Sequence, residues 1–173
     1  MKLFQAIAIL FAGALAGCQL PGLSDESAPA GHVDRVQLFV LPTAINMDAV
    51  PGPGGISITI YFFRLSQAPD GKVLNKTVAV SGDVDVMMFD GQLRASDMAN
   101  AKPRHVWHFA PGEIGPYLSH SALGYHYAMS LPWGKDEPQA TMVTAIVRYS
   151  PPNEQPMYSE ALAIGVGSRQ PTH

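Results

Sequence analysis

The residues with chemistry to offer are few and scattered along the chain. His105 and His108 stand three apart, the spacing at which two imidazoles meet on a helix and can share a metal ion. Their context, His105-Val106-Trp107-His108-Phe109, alternates as a strand does, and on a strand positions three apart point to opposite faces. The pair is therefore read as two separate side chains unless a bulge redirects one ring. Asp83 and Asp85 share one strand face and could meet a hard cation, but calcium takes about six to eight oxygens. Both are expected to face solvent. Ser119-His120-Ser121 sets an imidazole between two hydroxyls. A nucleophile and its base are assembled in space rather than in sequence, so a polar turn is the simpler reading. Pro51-Gly52-Pro53-Gly54-Gly55 has the glycines of a phosphate-cradling loop but not the lysine or the following helix, and its prolines remove amide donors. No Gly-x-Ser-x-Gly elbow, His-Glu-x-x-His pair or dinucleotide fingerprint is present. The expectation is a non-enzyme with no catalytic residue, metal ligand or cofactor.

Aromatic rings are the other chemistry available. Trp133 lies in Pro132-Trp133-Gly134-Lys135-Asp136-Glu137-Pro138, a loop whose other residues belong in water. Exposed there, it would offer a stacking face to a glycan or partner. Folded back, it would be a lid on the end of the core, which is the preferred reading. Trp107 and Tyr125, each on a strand-like run, are the other candidate contacts for a ligand or partner.

The residue with the most specific chemistry is the sole cysteine, Cys18. Ahead of it, Lys2 supplies a positive end and residues 3–15 an apolar run broken only by Gln5 and Gly13, the three-part form of a secretion signal. A bilayer span needs about 20 apolar residues, so the run is too short for a transmembrane helix. Leu15-Ala16-Gly17-Cys18 resembles the lipobox of bacterial lipoproteins residue for residue. The resemblance implies a diacylglyceryl group on the Cys18 sulfur, cleavage after Gly17, and acylation of the new amino group. Two or more acyl chains make a stable anchor, at about 0.8 kcal/mol per buried methylene. In that family an Asp after the cysteine favours retention in the inner membrane; here the position is Gln19, which favours the outer membrane of a two-membrane envelope. With Cys18 lipidated, no thiol remains for a disulfide, a metal or catalysis.

The elements that must position the remaining residues follow from composition and periodicity. The formal charge of -3 becomes -4 once Lys2 is removed, which gives no reason to expect nucleic acid. Fifteen prolines and sixteen glycines, spread between apolar runs, favour short strands and turns. After a signal at 1–17, residues 18–33 carry the lipid and form a polar tether with too little apolar content to order itself. A domain at 34–168 and a polar tail at 169–173 complete the chain. Strands are expected at 36–44, 56–65, 73–80, 84–88, 105–109, 125–131, 141–149 and 157–166. In the second, Ile56, Ile58, Ile60 and Phe62 alternate with Ser57, Thr59, Tyr61 and Phe63, the pattern of a half-buried central strand. A single helical turn is expected at 111–114, stopped by Gly115-Pro116. Seven or eight such strands with no long amphipathic helix bury their apolar faces as two packed antiparallel sheets. The expected fold is all-β, an antiparallel β-sandwich of immunoglobulin-like or transthyretin-like form.

The function expected of such a chain is a lipid-anchored, non-catalytic interaction domain of the cell envelope, joined to the membrane through Cys18 and docking an envelope protein. A glycan-binding module using Trp133, Trp107 and Tyr125 is the alternative. The mature domain resembles uncharacterised bacterial lipoproteins. The lipobox, the tether and Ile58-Thr59-Ile60-Tyr61-Phe62-Phe63-Arg64-Leu65 also look somewhat like the small sandwich lipoproteins of type VI secretion machines, a resemblance that implies anchoring of a membrane complex.

Overall fold

The computed structural model describes residues 29–47, 52–94, 97 and 100–167. The expected signal, Cys18, most of the expected tether and the expected tail lie outside the described residues. Among the described residues ten strands form: β1 (Arg35–Val40), β2 (Gly55–Gln67), β3 (Val73–Thr77), β4 (Asp83–Asp90), β5 (His105–Phe109), β6 (Leu118–Ser121), β7 (Gly124–Pro132), β8 (Met142–Ser150), β9 (Met157–Tyr158) and β10 (Leu162–Gly165). They make two antiparallel sheets of five strands. The first runs β1-β2-β7-β6, with β3 also paired to β2; the second runs β10-β8-β4-β5, with β9 also paired to β8. The chain is a β-sandwich.

Alternation decides the packing. Ile56, Ile58, Ile60 and Phe62 of β2 and Tyr127, Met129 and Leu131 of β7 meet Val84, Val86 and Met88 of β4 and Val143, Ala145 and Val147 of β8 in one core. Each of the Ile, Val, Leu, Met and Phe side chains contributes about 1.5–3 kcal/mol by leaving water. Phe62 sits at the centre, edge-on to Tyr127 at 5.7 Å and to Tyr149 at 5.1 Å. The amide of Val80, where the chain crosses between sheets, donates to the Tyr127 hydroxyl at 3.1 Å. Burial of that phenol pushes its pKa above the ordinary value.

Several local expectations are corrected. Ser119-His120-Ser121 is not a polar turn but most of β6, paired to β7. Gly115-Pro116 does not stop a helical turn; it forms one, a 3-10 turn at Gly115–Tyr117, because Pro is already set for the first helical positions. The run expected at 157–166 is broken. β9 pairs Tyr158 with Arg148, whereas β10 pairs Leu162 with Ala145, so the register shifts by one residue between them. At the break, the Ser159 amide donates to Val147 O at 2.9 Å and its hydroxyl accepts from the Val147 amide at 3.0 Å. This bulge turns Tyr158 outward, 53% exposed, while Leu162 and Ile164, which an unbroken strand would set on the same face as Tyr158, keep the inner face. The end of the expected tether is also held: the Ala79 amide donates to Pro29 O at 3.1 Å, and Val33 is buried.

Candidate functional site

β5 forms where expected and sends its two histidines to opposite faces. His105 and Trp107 face inward, and their rings meet at 4.5 Å. The Trp107 indole N–H donates to Pro132 O at 2.8 Å, and His105 Nδ1 lies 2.7 Å from Asp136 Oδ2. Arg104, just ahead of β5, donates to Glu137 O at 3.0 and 3.3 Å. These bonds strap the β7–β8 loop to β5 and set Trp133 into the core at 2% exposure. Trp133 therefore offers no face to a ligand, and the stacking role considered for it is withdrawn. Trp107 is half-buried with its only N–H used. Tyr125 is half-buried against His120, ring centroids 4.9 Å apart. The three rings do not form one surface.

A different row of rings does. The outer face of the first sheet carries Phe39 on β1, Tyr61 and Phe63 on β2 and His126 on β7. Tyr61 is the hub: Phe39 meets it edge-on at 5.6 Å, Phe63 lies parallel at 5.9 Å and His126 at 5.3 Å. The Arg35 guanidinium covers Phe63 at 4.9 Å, a cation–π contact that caps one end. Phe39 is 46% exposed, and Leu41 and Leu65 extend the apolar band in both directions along the face. Apart from Arg35, its neighbours along β1, β2 and β7 are uncharged: Gln37, Ser57, Thr59, Ala128 and Ser130. The alternation of β2 foresaw which side chains share this face. It did not single them out as a candidate contact, because which rings from β1 and β7 join them depends on register.

The outer face of the second sheet carries charge instead. Register sets His108, Asp85, Arg148 and Tyr158 in one row across β5, β4, β8 and β9. Asp85 was expected to face solvent; it does lie on the outer face, yet it is buried beneath its partners. His108 Nδ1 donates to Oδ1 at 2.7 Å, and Arg148 donates to Oδ2 from Nε at 3.0 Å and Nη2 at 2.7 Å. Burial pushes the Asp85 carboxyl up, but the bonds from His108 and Arg148 outweigh it and hold it below its ordinary value. The bond to Asp85 raises the His108 imidazole. With both carboxylate oxygens occupied, the arrangement is an ion cluster that pins three strands. Among the described residues no group of His, Cys, Asp and Glu is arranged to hold a metal ion.

No known protein resolves the choice between these surfaces. The chain matches no family model, no curated protein and no solved structure. One face carries a closed charge network, the other an apolar band in which Phe39, Leu41 and Leu65 are exposed around the buried Tyr61. Only the second leaves a surface whose burial by another molecule would be favourable.

Proposed function

We propose that this chain is a lipid-anchored, non-catalytic binding domain of the bacterial cell envelope, which docks an envelope protein through the outer face of its first sheet. The anchoring half of the reading rests on Leu15-Ala16-Gly17-Cys18. The docking half is carried by one observation: the exposed Phe39 and the half-buried Phe63 flank a buried Tyr61 on the outer face of the first sheet, and Leu41 and Leu65 continue the band as exposed apolar side chains. Rings of this kind, capped by an arginine and rimmed by small polar residues, are the composition that marks the centre of protein interfaces. Glycan stacking is the second reading, favoured by the exposed Phe39 ring and its hydroxyl-bearing neighbours.

A photo-crosslinking residue placed at Phe39 in cells producing the whole chain tests this. The expected result is one discrete adduct with an envelope protein, absent when the same group is placed at Val106 on the other outer face. No protein adduct at position 39, together with protection of the site by soluble glycan, overturns the docking reading in favour of the glycan one.

A further inference from the structure

The β2–β3 hairpin extends past the sandwich, and its charges are arranged at a cost. Arg64 and Lys76 are directly opposite each other across the two strands, where like charges repel. Neither has a carboxylate within salt-bridge distance among the described residues. The acids at this end are committed elsewhere: Asp70 to Lys72 at 2.8 Å, and Asp34 and Glu154 to His32, each at 3.3 Å. Around the two cations the hairpin exposes Leu65, Leu74 and Val73, the last at 66%. Leu123, at the tip of the β6–β7 hairpin, is 71% exposed. An open groove of about 420 Å³ runs between the two hairpins, lined by Lys76, Asn75, His120 and Leu123.

Pro29 lines the same groove. It is eleven residues on from Cys18, so the chain between them can span at most about 40 Å. If Cys18 carries a lipid, this end of the domain is the one tied to the bilayer. We propose that the β2–β3 hairpin and the β6–β7 tip form a docking face for an anionic phospholipid surface. Val73, Leu74 and Leu123 enter the headgroup boundary, and Arg64 and Lys76 take lipid phosphates as their missing counter-ions. The proposal deepens the anchoring reading and rests on it. An amphiphilic, basic edge beside a lipid anchor supplies a second signal that orients the domain. It stands the long β2 strand, of 13 residues and about 40 Å, away from the membrane with Phe39 at the far part of the band.

The test uses the full protein, extracted from membranes and reconstituted into vesicles. Because Cys18 is the sole cysteine, a lipidated wild type takes up no thiol probe, and labelling of the wild type would overturn the anchoring reading itself. An environment-sensitive fluorophore is placed at Val73→Cys, at Leu123→Cys and, as the far-end control, at Gln139→Cys. In phosphatidylglycerol-containing vesicles with acyl-brominated lipid, the probes at 73 and 123 should be quenched and that at 139 should not. Quenching should fall in pure phosphatidylcholine. Arg64→Gln with Lys76→Gln should lower the docking equilibrium constant by about fivefold per cation removed, with the protein still held by its lipid. Probes at 73 and 123 quenched no more than that at 139, in protein whose wild type resists labelling, overturn the docking while leaving the anchor intact.

Discussion

Replacing Trp133 with alanine should destabilise the domain by about 3–5 kcal/mol, the cost of a large aromatic removed from a packed core. The ring is among the largest fully buried side chains, and it belongs to the same cluster as Phe62, Met88 and Leu131. Its backbone is fixed on both sides, with its amide donating to Gly54 O at 3.2 Å and its carbonyl accepting from the Asp136 amide at 3.0 Å. The straps from Trp107, His105 and Arg104 hold the loop in place, so the cavity cannot collapse by simple loop movement. In a domain of this size the loss corresponds to a melting temperature lower by roughly 10–15 °C. Urea unfolding measures it. A change below about 0.5 kcal/mol, the range for an exposed side chain, would mean that the ring sits on the surface after all and would reopen the stacking role withdrawn above.

Asp85→Asn should cost about 2 kcal/mol near pH 6, because hydrogen bonds to charged groups are each worth about 1.5–3 kcal/mol. Arg148 and His108 are partly solvated, which places the figure toward the low end of that scale. The pH dependence separates the partners. Asp85 is held below its ordinary value in the folded chain, so its contribution is present above the ordinary carboxylate range and is lost as pH falls through the lowered folded value. His108 is raised, so its contribution is complete below the ordinary imidazole value and is lost as pH rises through the raised one. Stability from the cluster is therefore greatest between about pH 4 and 6.5. His108→Gln should remove the decline on the alkaline side and shrink the acid limb, which Arg148 then sustains alone, whereas Asp85→Asn should flatten both limbs. Stability curves for Asp85→Asn and the parent that run parallel across this range would contradict the cluster as described.

The case of Asp85 shows where reading the sequence stops. Its face was legible, because Val84, Val86 and Met88 alternate with it and fill the core. Its environment was not: His108 is 23 residues away and Arg148 is 63, and only sheet order and register bring them into one row. The aromatic band has the same history, since Phe39 and His126 reach Tyr61 from β1 and β7. Strands with strong alternation, such as β2 and β4, and the strand apolar on both faces, β8, were found within a residue or two of their bounds. The failures were short elements. β6 is four residues with two serines and a histidine, held by pairing to β7 rather than by its own pattern. The β9–β10 bulge arises because the Ser159 hydroxyl takes a place in the ladder, which no periodicity records. Cys18 is the opposite case: its reading comes wholly from local sequence, and it lies outside the described residues.

The intact mass of the protein extracted from the membrane fraction is the most direct test of a lipid anchor on Cys18. The predicted mass is that of a chain beginning at Cys18, without the first 17 residues, increased by a diacylglyceryl group and an amide-linked acyl chain. A protein that keeps residues 1–17, or one that begins elsewhere with an unmodified Cys18 thiol, contradicts the anchoring, and with it the membrane-standing domain proposed above.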